Sequence, residues 1–307
     1  MRDAFIKALT ERTETDESIV FVTGDLGFGV LNDFIKRFPE QFINAGVAEQ
    51  NMTAIACGMA LEGHKAFTYS IGNFPTMRCL EQIRNDVCYH DANVTIVAVG
   101  AGFSYGQLGM SHFALEDMAV MRALPNMQVI VPADPWEAEE LTHQMLDLPG
   151  PKYLRIDKGA AGIEQGSTQV KLGKVRQIRE GRDATIIAIG GIAKEALIAA
   201  DEVSKEGISL SVLVVNCLKP LDEEPILQAV RESGKIITLE EHSVIGGLGS
   251  TIADLCMDNG VMPSYFKKMG MQDAYPTIVG DQDYLRKKHG MSAEFVVDVV
   301  REAVSTA

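Results

Sequence analysis

One acid stands in the segment Gly46-Val47-Ala48-Glu49-Gln50-Asn51-Met52, among small, apolar and amide side chains. Glu49 lies where an extended run, Gln41-Phe42-Ile43-Asn44, hands over to a stretch of small residues with helical character, Thr53-Ala54-Ile55-Ala56-Cys57-Gly58-Met59-Ala60. A carboxyl there is either a first-turn charge that favours the helix macrodipole or a proton handler in a dry pocket, where burial favours the protonated form. A second candidate, His112, ends the glycine-containing run Gly106-Gln107-Leu108-Gly109-Met110-Ser111. Asp25 follows Gly24 at the end of an apolar run and reads as a turn cap. Glu240-Glu241-His242 has the composition of a reactive cluster. It directly follows an apolar run, however, and precedes Gly246-Gly247-Leu248-Gly249, which opens a helix. A helix N-terminus after glycines can bind an anion, but a structural role is preferred.

Positioning these groups requires a scaffold, and the pattern is α/β. Short Val/Ile-rich runs at 19–23, 66–70, 94–99, 128–131 and 152–156 are bounded by Gly or Pro and suit parallel strands covered on both faces. Helical spacing fills the intervals, notably 76–90 and 135–147, with Pro135 behind Asp134 as a first-turn proline. A polar, glycine-containing stretch follows. The alternation then restarts with strands at 184–189, 210–215 and 235–239 and a helix at 193–206. The expected organisation is two doubly wound domains, 1–165 and 183–307, joined by a linker at 166–182.

The 307 residues suffice for two such domains, and 46% of them are apolar. A net charge of −14, with acids and bases interspersed, argues against nucleic acid or anionic membrane as partners. Five cysteines at 57, 79, 88, 217 and 256 are scattered without metal-ligand spacing and read as small core residues in a reducing cytoplasm. No stretch has the length of a bilayer span, and the first residues show no signal core.

Taken in order, the motifs resemble the C-terminal half of transketolases: Gly24-Asp25-Leu26, the Glu49 element, Glu81-Gln82-Ile83-Arg84-Asn85, Gly109-Met110-Ser111-His112, Pro125-Asn126-Met127, and Glu240 through Ser250. The resemblance implies a pyrimidine-binding domain followed by a transketolase C-terminal domain, with thiamine diphosphate as cofactor. It implies that Glu49 shares a proton with a pyrimidine ring nitrogen, so that the neighbouring amino group becomes the base for the thiazolium. It further implies that Phe74 and Ile71 line the pyrimidine pocket, that Asp25 lies near the thiazolium, and that His112 bonds a sugar hydroxyl or oxyanion. Arg2 and Arg155 match two arginines that grip a terminal phosphate. The family's diphosphate site and its metal, Mg2+ or Ca2+, lie on another domain. No metal ligand is therefore expected here. A partner carrying the N-terminal transketolase domain is expected instead, in an α2β2 assembly.

The substrate end departs from the family pattern. A histidine expected near Gly100 is absent, Gly29 stands for a serine, and Leu108 replaces an acid that reads a sugar hydroxyl. A leucine cannot accept that bond, which points to a modified sugar: deoxygenated, branched or carrying sulfonate. The rival readings are a 2-oxo acid dehydrogenase beta subunit, a deoxyxylulose phosphate synthase-like enzyme, and a non-catalytic scaffold.

Overall fold

The computed structural model describes residues 1–27, 29–166 and 168–306. The chain builds two parallel-rich sheets flanked by helices, as the alternating pattern requires. The first half contributes β1 (Ile19–Thr23), β2 (Phe42–Asn44), β3 (Lys65–Ile71), β4 (Val94–Val99), β5 (Gln128–Ile130) and β6 (Lys152–Ile156). The second half contributes β7 (Arg176–Arg179), β8 (Ala184–Ile189), β9 (Leu210–Val215), β10 (Cys217–Lys219), β11 (Lys235–Ser243) and β12 (Tyr265–Met271). Every residue of β1, β4, β8 and β9 is buried, because helices cover both faces.

The helices that matter for the site are α1 (Arg2–Thr13), α2 (Asn32–Arg37) and α3 (Glu49–Leu61). α3 buries Glu49, Met52, Thr53, Ala56 and Cys57, an i, i+3, i+4, i+7, i+8 stripe that faces the sheet. Its first buried position is therefore the carboxylate itself. On the α1 side, Phe5, Phe21, Phe34 and Tyr69 interlock edge-on, with Phe21 at 5.3 Å from Phe34 and 5.6 Å from Tyr69. All five cysteines are buried and free, as expected of core thiols. Among the described residues no helix is long and apolar enough to cross a membrane.

Three expectations are corrected. The helix read over 76–90 is not one α-helix. A 3-10 turn at Met77–Cys79 leads into a short α-helical turn, α4 (Leu80–Gln82), and then a π-helix at Ile83–Cys88. The carbonyls at the end of that wide turn are taken by side chains: the Cys57 thiol and the His90 ring at Asp86, and the Asn126 amide at Cys88. The stretch 166–182 is not all linker, since β7 pairs antiparallel with β9 at the edge of the second sheet. Nor does the first sheet belong wholly to the first half. β10 crosses back and pairs antiparallel with β5, giving the order β10-β5-β6-β4-β3-β1-β2. The second sheet runs β12-β11-β8-β9-β7.

The halves are also joined by buried charge. The Arg155 Nε donates to Asp117 at 2.6 Å, and its Nη2 donates to the carbonyl of Glu241 in β11 at 3.0 Å. Arg286, in α10 (Gln282–Lys288), pairs with Glu241 and with Asp157 just beyond β6. The preceding helices are α5 (Asp117–Ala123), α6 (Pro135–Leu146), α7 (Ala193–Ser204), α8 (Glu223–Ser233) and α9 (Leu248–Asp258).

Candidate active site

In a parallel sheet, ligands bind in the crevice beyond the carboxyl ends of the strands. The candidate residues lie there. Asp25 follows β1, Glu49 follows β2, Ile71 ends β3 and is followed by Phe74, the His112 loop follows β4, and Lys158 follows β6.

Glu49 is 4% exposed and opens α3. Its Oε2 accepts from Arg78 Nη1 at 2.9 Å. The same guanidinium lies 4.6 Å above the Phe74 ring. Phe74 packs edge-on against the His112 ring, with centroids 5.2 Å apart. Asn73 donates to the Phe113 carbonyl and so ties the Phe74 turn to the His112 loop. His112 Nδ1 is engaged with Ser111 Oγ at 3.0 Å, which leaves Nε2 as the ring atom available to a ligand. Asp25 adopts a left-handed φ of 60°, and its backbone N–H and carboxylate make a reciprocal pair of 3.0 Å bonds with the Asn44 amide. The turn is thereby fixed with the carboxylate only half-buried.

Beyond His112 the site continues through residues that motif order does not single out. Tyr105 lies 6.4 Å from the His112 ring, and Lys158 Nζ sits 3.8 Å over the Tyr105 ring. Together with Arg2, Met1, Asp3, Val99 and Asp157 they line a cleft of about 320 Å3. Desolvation, and then the charge of Arg2, pull the Lys158 ammonium below its ordinary range. An anion between the two cations would relieve that repulsion. Tyr105 also explains the missing histidine. Gly100 has φ +102°, and a Cβ there would overlap the Tyr105 ring, so Tyr105 fills the space a side chain at 100 would need. Gly29 has open space around it, and Leu108 is 55% exposed on the loop that carries His112.

The expectation that Arg155 grips a phosphate does not survive. Arg155 is 2% exposed and bonds Asp117 and the carbonyls of Ala114 and Glu241. A guanidinium so satisfied inside the protein has no fork to offer a ligand. Lys158 instead shares the cleft with Arg2, whose Nε is paired with Asp3 at 2.8 Å.

Glu240-Glu241-His242 is structural, as preferred. Glu240 accepts from the backbone N–H groups of Leu248 and Gly249 at 2.7 and 2.8 Å, so the α9 N-terminus is filled by the chain's own carboxylate. A larger cleft of about 410 Å3, between Leu115–Val120 and Ser243–Tyr275, contains none of the candidate residues.

Comparisons with known proteins identify the family. The family model of the transketolase pyrimidine-binding domain matches residues 1–163, and that of the transketolase C-terminal domain matches residues 173–296. A 6-deoxy-6-sulfo-D-fructose transketolase subunit from Clostridium sp. (strain MSTE9) is 35% identical over 98% of this chain and 94% of its own length. A subunit of the apulose-4-phosphate transketolase from Phocaeicola vulgatus is 38% identical over 85% of this chain and 84% of its own. A solved structure described as a split gene transketolase, an inactive beta4 tetramer, superposes with a TM-score of 0.88 at 36% identity, covering 99% of this chain and 98% of that one. With a pyrimidine-binding domain and a C-terminal domain matched in sequence, and relatives of the same extent matched along almost their whole length, the chain belongs to the transketolase family.

Proposed function

We propose that this chain is the pyrimidine-side and C-terminal subunit of a two-chain, thiamine diphosphate-dependent transketolase. It moves a two-carbon ketol unit from a ketose with an anionic end to an aldose acceptor. One observation carries the reading: a buried carboxylate, an aromatic ring and a histidine with an available Nε2 converge beyond the carboxyl ends of the first sheet.

The cofactor, when bound, supplies the electron sink for breaking and making a carbon–carbon bond beside a carbonyl. The residues fit that group. Glu49 can hold a proton toward a pyrimidine ring nitrogen from a dry helix start. Ile71 and Phe74 offer apolar and aromatic surface to the ring. Asp25, fixed by Asn44, places negative charge near a cationic ring. His112 Nε2 can hold or deliver a proton at a sugar hydroxyl or oxyanion. Arg2 and Lys158 bind the anionic end of the sugar. Leu108 offers no acceptor to a hydroxyl, which favours a modified sugar, and two relatives are named for such sugars: a 6-deoxy-6-sulfo-fructose and apulose 4-phosphate. The diphosphate and its Mg2+ or Ca2+ belong to a cytoplasmic partner carrying the N-terminal transketolase domain, in an α2β2 assembly.

Glu49→Ala in the reconstituted pair should reduce ketol transfer at least about 100-fold, with assembly by size-exclusion chromatography unchanged. Full activity in this variant would sink the reading. A screen of sulfonated, branched and ordinary ketose phosphates as donors, followed by mass spectrometry, names the sugar.

A further inference from the structure

Glu49 poses a folding problem that the other site residues do not. Its carboxylate is 4% exposed. A buried carboxylate without a partner is costly, more so than the pair it would form is favourable. In a two-chain enzyme this half of the site has to fold before the cofactor is enclosed.

The chain supplies its own partner. Arg78 donates to Glu49 Oε2 at 2.9 Å and stacks its guanidinium 4.6 Å over Phe74. A guanidinium can do both because it is planar and carries in-plane donors. These are the same two contacts, a hydrogen bond to Glu49 and a stack on Phe74, that the proposed function gives to the pyrimidine. Arg78 and a pyrimidine ring cannot both use Oε2 and the same face of Phe74.

The Arg78 backbone is anchored while its side chain is not. Its carbonyl accepts from Gln50 Nε2 at 3.2 Å, and its N–H donates to the Asn73 carbonyl at 3.3 Å. Its side chain is 48% exposed, so a rotamer change releases the guanidinium into solvent without moving the chain.

We infer that Arg78 is a stand-in for the pyrimidine. It keeps Glu49 paired in the subunit on its own and is displaced when the cofactor binds. The inference rests on the proposed function. It makes a two-sided demand that a merely structural arginine does not: removing the side chain should destabilise the free subunit and tighten cofactor binding. A competing closed state weakens apparent affinity by the fraction of protein that is open.

The test is calorimetric titration of thiamine diphosphate, with Mg2+ present, into the reconstituted pair, alongside thermal unfolding of the free chain. Arg78→Met should bind the cofactor roughly three- to tenfold more tightly, the range set by a half-exposed ion pair. Its free chain should unfold a few degrees lower. Arg78→Lys, which keeps the charge but loses the planar stack, should fall between the two. Binding by Arg78→Met that equals or is weaker than wild type overturns the inference, whatever happens to the unfolding temperature. Glu49→Gln separates the two ideas. If that variant keeps both cofactor binding and ketol transfer, or if the wild-type pair gives no binding heat, the functional reading fails and the stand-in fails with it. If Glu49→Gln loses activity and Arg78→Met binds no more tightly, only the stand-in is wrong.

Discussion

Two acid–arginine pairs of nearly the same chemistry sit in the first half of the chain and have opposite characters. Asp117 and Arg155 meet at 2.6 Å, with side chains 0% and 3% exposed. Glu49 and Arg78 meet at 2.9 Å, with side chains 4% and 48% exposed. In the first pair every strong group has further fixed partners: Asp117 also accepts from Tyr153, and Arg155 also donates to two carbonyls, one of them across the domain boundary. In the second pair the guanidinium has one hydrogen bond to a carboxylate and one aromatic face. The difference lies in how many contacts are lost when the pair opens. The buried pair is a weld between the halves of the molecule. The open pair can be exchanged for a ligand. A residue type cannot tell these apart, and both arginines would pass as anion grips in a one-dimensional reading.

The largest expected effect tests the weld. Arg155→Met should cost about 3–5 kcal/mol of stability, because it leaves the Asp117 carboxylate buried and unpaired. Urea unfolding of the free chain measures it, and a loss below about 1 kcal/mol would erase the contrast. A smaller effect comes from His242, at the same buried junction. Its Nδ1 donates to the Ser243 carbonyl at 2.8 Å, and its Nε2 accepts from the Ala119 N–H at 3.3 Å. The neutral ring is thus fully used, and a second ring proton would point at a donor. Burial is the largest influence on the ring and disfavours its charge; Asp117 at 3.9 Å favours the charged form, while Arg155 opposes it. Burial outweighs Asp117 and lowers the ring to about 4, from 6.5. Between those values the unfolded chain binds a proton that the folded chain refuses, so stability falls as pH drops through the window. From pH 7 to pH 5 the His242 share of that loss is about 2 kcal/mol. His242→Gln, which can keep both hydrogen bonds, should flatten the wild-type slope by that amount. An unchanged slope would place the ring in a wetter site than its packing shows.

Much of this was legible in the sequence, and the rest failed for identifiable reasons. The buried strands and the two α/β halves followed from short apolar runs, whereas the packing of Phe74 on His112 is visible only in the structure. Arg78 was missed because the segment 76–90 reads as one amphipathic helix. The change from a 3-10 to a π-helical turn alters which way each side chain points, and hydrophobic spacing does not encode it. Arg155 was misassigned because its fate is decided by Asp117, 38 residues earlier, and by a carbonyl in the other half. No local pattern reports such partners. Edge strands β7 and β10 escaped for a related cause: each is short and set by pairing with a distant neighbour. Lys158 could have been found. It lies two residues past β6, and the residues just past parallel strands are where ligands bind.

Lys158 supplies the last and smallest test, because it stands between the two kinds of cation. It is exposed, unlike Arg155, and rests on Tyr105 instead of reaching a buried acid as Arg78 does. If it serves the anionic end of the sugar together with Arg2, then Lys158→Met should raise KM for a phosphorylated or sulfonated ketose roughly fivefold, about 1 kcal/mol for an exposed charge contact. The maximal rate should stay nearly constant, because the contact is made equally in the bound substrate and the transition state. The rise should shrink with added salt, which shortens the reach of exposed charges from about 10 Å at 0.1 M to about 3 Å at 1 M. Lys158→Arg should restore most of the affinity, whereas Arg155→Lys should restore little of the stability lost in Arg155→Met, since a single ammonium cannot reach Asp117 and both carbonyls together. An equal loss of kcat and kcat/KM in Lys158→Met would instead place this lysine at the reacting carbon, in the same class as His112.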